Sequence, residues 1–526
     1  MKTLLSLVLF VFLLAGCKSQ ANIEEARDKA TNPVVWADIP DMSIVLVDDT
    51  YYMASTTMHM SPGLPIMKSK DLVNWEIVSY AYDILVDNDR MSLRNGESAY
   101  GNGSWAPSLR YHNGVFYAST FSATSGKTHI YKTTDIENGT WEEISFRPSI
   151  HDHSLFFDDD GKVYLIAGVG RITMVELKED LSGVKEGSEV LLIENASAPA
   201  GDNIMLPAEG SQMFKFDGKY YLFNITWVRG GMRKVIIHKA DQITGPYEGR
   251  LALRDRGIAQ GGLIETTEGD WVAFLFRDFG SVGRIPYMVP AKWEDGWPVL
   301  GVDGVVPDTL DIPVKNINAA GIVASDNFER ESGDNSMPLV WQWNHNPVNE
   351  YWTLQERKGY FRLKTSRVDE NVLQARNTLT QRTFGPESSA STVIDVSNMK
   401  DGDFAGMIAL QRRYGFVGVS RDGNSTSIIM VSNESEEPVE LERIELNQDK
   451  VYLKIACDYN DRNDKAYFYY SLDGQAWTEI GESLQMAYTL PHFMGYRFGL
   501  FNYATKSVGG YVDFGHFEIS DSMGGN

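Results

Sequence analysis

Three carboxylates stand at one fixed distance from three similar turns of the chain. Each lies eight residues before an Asp that opens a turn: Asp41 before Asp49, Asp152 before Asp160, and Glu209 before Asp217. Equal spacing places all three at the same end of equivalent strands. Carboxyl groups that converge there could act as general acid and general base on one bond, while a third tunes the acid. Capping of turns is the alternative role, and three identical offsets favour the chemical one.

The elements that must hold these carboxylates recur along the chain. A turn followed by an aromatic-rich strand begins at five places: Asp49, Asn113, Asp160, Asp217 and Glu268. A Gly in most of these turns indicates hairpins, because Gly accepts the positive φ that a tight turn demands. The steps are 64, 47, 57 and 51 residues, which suits four strands per unit. We predict a five-bladed β-propeller over residues 31–305; a β-sandwich with similar hairpins is the alternative.

The repeat disappears in the second half of the chain. Residues 306–325 contain two prolines and little periodicity, which predicts a connector. Residues 326–519 show short alternating strands, such as Tyr360–Lys364 and Ala466–Ser471. This pattern predicts a β-sandwich of jelly-roll type. The whole chain is therefore expected to be all-β.

Residues 1–17 have the features of a targeting signal, so we do not expect them to belong to the folded domains. Lys2 precedes the apolar run Leu4–Leu14, and Leu14-Ala15-Gly16-Cys17 follows, a secretory pattern that resembles a bacterial lipobox. We expect residues 1–16 to be a lipoprotein signal peptide and 17–30 a tether. Lipid on Cys17 would anchor the chain to the outer membrane, and the lack of an acidic cluster after it favours the periplasmic side. A chance cysteine in an ordinary signal peptide is the alternative.

Composition excludes several classes of function. Apolar residues make up 43% and charged residues 23%, as in folded protein. The formal net charge of −23 argues against a nucleic-acid partner, because phosphate contacts need clustered Lys and Arg. Only Cys17 and Cys457 are present, which excludes a disulfide scaffold. We expect no required cofactor, and a monomer.

Converging carboxylates are what the hydrolysis of a glycosidic bond with inversion requires. One carboxylate activates a water, a carboxylic acid protonates the leaving oxygen, and the water occupies the space between them. A third carboxylate close to the acid raises the pKa of that acid, because neighbouring negative charges resist ionisation.

The chain resembles glycoside hydrolase family 43, whose members are five-bladed propeller enzymes that remove arabinose or xylose with inversion. The stretches that carry the resemblance are Asp38–Ile44, Ser104–Leu109, Asp152–Phe156, Glu209–Ser211, Gly283-Arg284 and Trp293–Pro298. Residues 326–519 resemble the concanavalin-like sandwich attached to many xylosidases and arabinofuranosidases of this family.

The resemblance implies a role for each carboxylate. Asp41 would be the general base, Glu209 the general acid, and Asp152 the residue that modulates the pKa of the acid and orients it. One departure is Met42, which stands where the family usually has Pro after the base. Asp38 competes for the base role but lies outside the equal-offset pattern, which favours Asp41.

Four further residues are predicted to bind substrate: Arg284, Trp105, Met58 and Gln260. Arg284 resembles the family arginine that reaches substrate hydroxyls near the acid, and Trp105 would be a sugar platform. A surface salt bridge and a core position, respectively, are their alternatives. Met58 would line the pocket. Ala259 and Gln260 stand where many relatives have a metal-binding His, so a calcium ion on the propeller axis is left open.

These features predict an exo-acting inverting hydrolase that releases non-reducing-end α-L-arabinofuranosyl residues from hemicellulose oligosaccharides, such as fragments of xyloglucan or arabinoxylan. A β-D-xylosidase of the same fold is the close alternative. A non-catalytic glycan-binding lipoprotein belongs to another class, which the three carboxylates disfavour. The sandwich is expected to lend a loop to the pocket rim, with Trp341, Trp343 and Trp352 in its core rather than at that rim.

Overall fold

The computed structural model describes residues 29–314 and 321–524. The predicted signal peptide, Cys17 and most of the predicted tether lie outside these ranges. The described residues form strands joined by turns and five single turns of 3-10 helix: Ala198–Ala200, Gly280–Val282, Asn349–Tyr351, Val372–Gln374 and Asn460–Arg462. None of their helices is long and apolar enough to span a membrane. The all-β prediction is confirmed.

Five four-stranded antiparallel sheets form the propeller. Blade one contains β2 (Ser43–Val47), β3 (Thr50–Ala54), β5 (Gly63–Ser69) and β6 (Glu76–Tyr82). Blade two contains β7 (Ser108–His112), β8 (Val115–Ser122), β9 (Lys127–Thr133) and β10 (Glu142–Phe146). Blade three contains β11 (Ser154–Phe157), β12 (Val163–Val169), β13 (Arg171–Glu176) and β14 (Val190–Ile193).

Blades four and five complete the ring. Blade four contains β15 (Ile204–Phe216), β16 (Lys219–Val228), β17 (Arg233–Ala240) and β18 (Glu248–Leu253). Blade five contains β19 (Ala259–Glu265), β20 (Trp271–Asp278), β21 (Arg284–Glu294) and β22 (Trp297–Leu300). The first strand of each blade contacts the first strand of the next, and β19 contacts β2. The innermost strands therefore surround a common axis, as the five repeats predicted.

A further strand pair lies beside the ring. β1 (Lys29–Thr31) pairs with β23 (Thr309–Pro313), so the two ends of the propeller segment are joined. The predicted connector over 306–325 contains β23, a strand that the sequence pattern did not indicate. A five-residue strand that ends in Pro is too short to give a clear alternating pattern.

Serine side chains join successive inner strands in one register. Each accepts a backbone N–H from the next blade: Ser43 from Leu109 at 2.9 Å, Ser108 from Leu155 at 3.0 Å, and Ser154 from Met213 at 2.9 Å. Asp41 and Asp152 stand two residues before the first and the last of these serines. The register between blades therefore also sets the height of these two carboxylates on the axis.

The second half of the chain is a sandwich of two sheets. The first contains, in spatial order, β32 (Val439–Glu445), β31 (Ser425–Ser432), β30 (Gly415–Asp422), β29 (Asp403–Leu410), β37 (Arg497–Ala504), β27 (Leu379–Arg382), β24 (Gln342–Asn344) and β4 (Met60–Ser61). The second contains β25 (Trp352–Thr353), β26 (Phe361–Lys364), β38 (Tyr511–Ser520), β28 (Glu387–Asp395), β33 (Lys450–Asp458), β34 (Lys465–Ser471) and β35 (Thr478–Glu479), and β36 (Leu484–Gln485) also pairs with β34.

The propeller and the sandwich share both a sheet and a core. β4 comes from the propeller half of the chain and pairs with β24 at the edge of the first sandwich sheet. One hydrophobic cluster extends from blades four and five into the sandwich. Trp341, Trp343 and Trp352 are buried in this cluster, with exposed fractions of 2%, 6% and 9%, as expected for core residues. The two halves are thereby held in one fixed arrangement.

Candidate active site

Two of the three carboxylates have strained backbones at the start of an inner strand. Asp41 and Asp152 have φ values of +53° and +43°, in the left-handed region that residues other than Gly avoid. Such a conformation costs about 1–3 kcal/mol and persists only where surrounding structure imposes it. Glu209 lies within β15, and the register with β16 shifts on both sides of it. Asp41 and Asp152 are therefore placed by a strained backbone just before a strand, and Glu209 by an irregularity within one.

The three carboxylates lie at one end of the propeller axis. A small cavity there is lined by Asp41, Asp152, Gly210, Gln260 and neighbouring residues. Gly210 follows Glu209 directly. The side-chain oxygens of Asp152 and Glu209 and a ring nitrogen of His151 all lie within 4.8 Å of one another. The structure thus brings Asp152 and Glu209 together, with Asp41 in the wall of the same cavity.

Asp41 is buried in an ion pair. Its side chain is 5% exposed, and its Oδ2 accepts a hydrogen bond from Nη1 of Arg284 at 2.8 Å. Burial raises the pKa of Asp41 above its ordinary value, and the positive charge of Arg284 acts in the opposite direction. We expected Arg284 beside the predicted acid, but the structure pairs it with the predicted base. The buried Nε of Arg284 has no hydrogen-bond partner among the described residues.

The Glu209 side of the site is more open and contains a histidine. His151 Nε2 lies 3.5 Å from Glu209 Oε2 and 3.6 Å from Asp152 Oδ2. The side chains of His151 and Glu209 are 43% and 19% exposed. Burial lowers the pKa of His151, but the two carboxylates raise it above its ordinary value overall. His151 directly precedes Asp152 in the sequence, and this adjacency is the sequence signal for its place in the site.

Asp152 is the most strongly perturbed carboxyl of the site. Burial raises the pKa of Asp152 to about 7; His151 opposes this rise, and the charges of Asp41 and Glu209 add to it. Its Oδ1 is buried and has no hydrogen-bond partner among the described residues. A buried carboxyl with an unused oxygen in a cleft is typical of a functional group.

An aromatic wall closes one side of the site and comes from both halves of the chain. The ring of Trp105 stacks on that of Phe493, with centroids 5.1 Å apart and an angle of 26° between planes. The guanidinium of Arg284 lies 4.5 Å from the centre of the Phe493 ring. Phe493 belongs to the rim loop, residues 489–496, which lies between β36 and β37 of the sandwich. The sandwich thus contributes to the rim through Phe493, which the sequence analysis did not identify.

The other predicted substrate contacts differ in position. Gln260 lines the cavity and packs on Gly210, where an added Cβ would lie 3.2 Å from its Cδ. Met58 is 1% exposed, and its backbone forms a bridge with Ser104, the residue before Trp105. The structure therefore brings Gln260 to the carboxylates, whereas Met58 is packed inside the wall that supports Trp105.

The propeller axis does not suit a calcium ion. Calcium takes six to eight oxygen ligands, but here the guanidinium of Arg110 uses the oxygens on the axis. Arg110 donates to Ser154 Oγ at 2.8 Å, to Gln212 Oε1 at 3.2 Å and to Ser43 Oγ at 3.3 Å. Burial lowers the pKa of Arg110 to about 10, which still leaves it charged at neutral pH. Among the described residues, the cluster of metal-ligand type is His151, Asp152 and Glu209, the acid side itself.

Carboxylates at the axis of a five-bladed propeller, closed by an aromatic from a sandwich, define a candidate glycoside hydrolase site. The family model for glycosyl hydrolases family 43 matches residues 30–298, and that for the beta xylosidase C-terminal concanavalin A-like domain matches residues 325–520. The chain therefore belongs to glycoside hydrolase family 43 and is an enzyme of the xylosidase/arabinofuranosidase type.

Among the similar proteins, some are named as xylosidases and others as arabinofuranosidases. A beta-xylosidase from Formosa agariphila is 30% identical over 92% of this chain and 88% of its own length. A non-reducing end alpha-L-arabinofuranosidase from Bacteroides ovatus is 25% identical over 78% of this chain and 79% of its own. A solved structure described as a bifunctional GH43-CE protein from Bacteroides eggerthii is 60% identical, with a TM-score of 0.93 over 94% of this chain. This chain spans 64% of that protein's length.

Proposed function

We propose that this enzyme hydrolyses the terminal glycosidic bond of hemicellulose oligosaccharides with inversion, using Asp41 as general base and Glu209 as general acid. The observation that carries the proposal is the division of the carboxylates into two unlike environments. Asp41 is buried against Arg284, and Glu209 is partly exposed beside His151 and Asp152. Acid and base roles need such unlike environments around chemically similar groups.

The base side suits the activation of a water. Burial raises the pKa of Asp41, which makes its carboxylate a stronger proton acceptor. Arg284 holds Oδ2 by a hydrogen bond of 2.8 Å, which leaves Oδ1 to receive the proton from water. The positive charge of Arg284 also stabilises the ionised form, so Asp41 enters the reaction as a carboxylate.

The acid side suits protonation of a leaving group. Glu209 is accessible, so that its proton can be restored from solvent after each turnover. The side-chain oxygens of Asp152 and Glu209 lie within 4.8 Å of each other, so Asp152 is placed to orient the acid. His151 contacts both carboxylates and fixes their relative position.

Two sugars compete for this site. α-L-Arabinofuranosyl residues from xyloglucan or arabinoxylan fragments are the substrate that we propose, in line with the name of the Bacteroides ovatus relative. The Formosa agariphila relative, similar over nearly the whole chain, favours β-D-xylosyl residues as the second candidate. The wall of Trp105 and Phe493 supports exo action in both cases, because it shortens the cleft on one side.

Hydrolysis of two chromogenic substrates tests this proposal. Residues 18–526 are assayed on para-nitrophenyl α-L-arabinofuranoside and para-nitrophenyl β-D-xylopyranoside, and the larger kcat/KM identifies the sugar. Asp41→Asn is the inactive variant, and Asp48→Asn, an exposed turn carboxylate, is its matched control. Folded protein without activity on either substrate would contradict the proposal and favour a glycan-binding role.

We also propose that Cys17 carries lipid and that the enzyme faces the periplasm as a monomer. The support is Leu14-Ala15-Gly16-Cys17 after the apolar run, together with Lys18-Ser19-Gln20-Ala21 directly after it, which contains no acidic cluster. Cys17→Ser should abolish incorporation of labelled palmitate and release the protein from the membrane fraction. Degradation by protease added to intact cells would instead indicate surface exposure, and light scattering gives the oligomeric state.

A further inference from the structure

We propose that Asp38 is a positioning residue that ties the rim loop of the sandwich to the arginine of the active site. Its two carboxylate oxygens accept hydrogen bonds from backbone N–H groups of two separate parts of the chain. Oδ1 accepts from Arg284 at 2.7 Å, and Oδ2 accepts from Gly495 at 3.0 Å. One side chain thus spans the boundary between the propeller and the sandwich.

Two glycines, Gly283 and Gly495, leave room for the carboxylate of Asp38. A Cβ on Gly283 would lie 2.2 Å from Asp38 Oδ1, and a Cβ on Gly495 would lie 2.1 Å from the carbonyl oxygen of Val282 and 3.0 Å from Asp38 Cβ. Gly283 also has a φ of +106°, which other residues rarely adopt. Any side chain at either glycine would separate the backbone from Asp38. The two glycines and the carboxylate therefore form one close-fitting contact.

Groups on both sides of this contact reach the reacting centre. Arg284, whose backbone is held by Oδ1, pairs through its guanidinium with the base Asp41. Gly495, held by Oδ2, lies two residues after Phe493, the aromatic of the wall. Arg284 Nη2 also donates to the carbonyl oxygen of Phe493 at 3.4 Å. A shift of the rim loop would consequently move both the wall and the partner of the base.

The same contacts explain why Asp38 does not act as the base. Both of its oxygens face backbone donors, and its carbonyl oxygen accepts from Nε of Arg382 at 3.1 Å. Hydrogen bonds to an ionised acceptor are about twice as strong as neutral ones. Asparagine has the same size but only one acceptor oxygen, so Asp38→Asn would leave one N–H facing an amide NH₂ group.

A second contact at the same boundary supplies a matched control. Asp464 of the sandwich accepts from the backbone N–H and hydroxyl of Ser281 at 3.2 and 2.7 Å. Ser281 lies in the same turn as Gly283, and its carbonyl oxygen accepts a hydrogen bond from the backbone N–H of Tyr496, at the end of the rim loop, at 3.0 Å. Asp464 bonds neither Arg284 nor residues 489–495 through these contacts. Asp464→Asn therefore weakens the boundary without releasing the wall.

The first arm of the test does not depend on activity. Hydrogen–deuterium exchange is followed by mass spectrometry on peptides that cover 489–496 in the full chain. We expect faster exchange across the rim loop in Asp38→Asn. In Asp464→Asn we expect unchanged exchange over 489–495, since among the rim-loop amides it is Tyr496 that is hydrogen-bonded to Ser281. Unchanged exchange of the rim loop in Asp38→Asn would overturn the proposal. If Asp38→Asn does not fold, Gly495→Ala replaces it, since it displaces the loop and retains the carboxylate.

The second arm rests on the proposed function. Asp38→Asn should lower kcat/KM by about 100-fold, because a misplacement of about 1 Å has that effect on a reacting geometry. In a double-mutant cycle, Asp38→Asn should cost much less in a Phe493→Ala background, since both changes remove the same wall. Losses that simply multiply would mean that Asp38 is only structural, against the proposal. If the unsubstituted enzyme is inactive and the rim loop still exchanges faster in Asp38→Asn, the proposed function is contradicted and the positioning role of Asp38 is not.

Discussion

The two sides of the active site are built differently although each centres on a carboxylate. On the side of the proposed base, Asp41 and Arg284 are 5% and 3% exposed and are fixed by a direct ion pair. On the acid side, Glu209 and His151 are 19% and 43% exposed, and their contact is longer, at 3.5 Å. This side is also braced by the sandwich, because Phe493 packs on Arg284 and the backbone N–H of Gly495 donates to Asp38.

This difference suits the roles that we propose for the two carboxylates. A base that activates one water gains from a dry, preset position, where electrostatic interactions are strong. An acid must regain its proton and let a leaving group depart, which needs access to solvent. The sandwich therefore contacts the Asp41–Arg284 side of the site, where a fixed position of the carboxylate matters most.

The largest expected effects come from removing the two carboxylates. Asp41→Asn should lower kcat by about 10²–10⁴-fold on every substrate, because water activation is always needed. Glu209→Gln should lose about as much on an oligosaccharide and much less on a para-nitrophenyl glycoside, since a phenolate leaves without full protonation. Initial rates on both substrate types measure this. A larger loss for Glu209→Gln on the phenyl glycoside than on the oligosaccharide would contradict the assignment.

Replacing Arg284, the cation beside Asp41, should shift the pH profile of kcat/KM. Arg284→Met takes away the charge that lowers the pKa of Asp41, so the acid limb of kcat/KM against pH should move to higher pH. Breaking a buried pair also destabilises the fold by about 3–5 kcal/mol. His151→Asn, on the acid side, is the comparison variant and should leave that limb in place. An acid limb that stays fixed in Arg284→Met would show that Asp41 does not set it.

The smallest effect concerns stability rather than rate. The carboxyl of Asp152 ionises near 3.8 when unfolded and at about 7 when folded, so the folded chain loses stability as pH rises across this window. Asp152→Asn removes this loss. The melting temperature of Asp152→Asn minus that of the unaltered chain should therefore increase from pH 4 to pH 7 and stay constant above pH 7. A difference that is constant with pH would mean that Asp152 is not the titrating group.

Sequence predicted the blades and the three carboxylates for a physical reason. Hairpin turns and alternating apolar residues are local signals, and strands of equal length carry equally spaced residues to the same end of a ring. β2 begins directly after Asp41-Met42, and β11 begins directly after Asp152-His153, as that rule requires.

The remaining features depend on contacts that no local pattern encodes. Asp38 and Gly495 are separated by 457 positions, and their contact exists only once the sandwich docks on the propeller. Phe493 lies in an irregular loop, so its ring carries no periodic signal. Arg284 was found by resemblance, but its pairing with Asp41 rather than with the acid follows from the packing of blade five against blade one.

Proton NMR of the first sugar released tests the central claim most directly, since it follows the configuration of the reacting carbon. Inversion requires Asp41 to activate a water on the face opposite to the leaving group that Glu209 protonates. From an α-L-arabinofuranoside, the anomeric proton signal of β-configured arabinose should therefore appear first, and the α signal should follow only by mutarotation. Initial appearance of the α-configured sugar would mean retention and would contradict the roles assigned to Asp41 and Glu209.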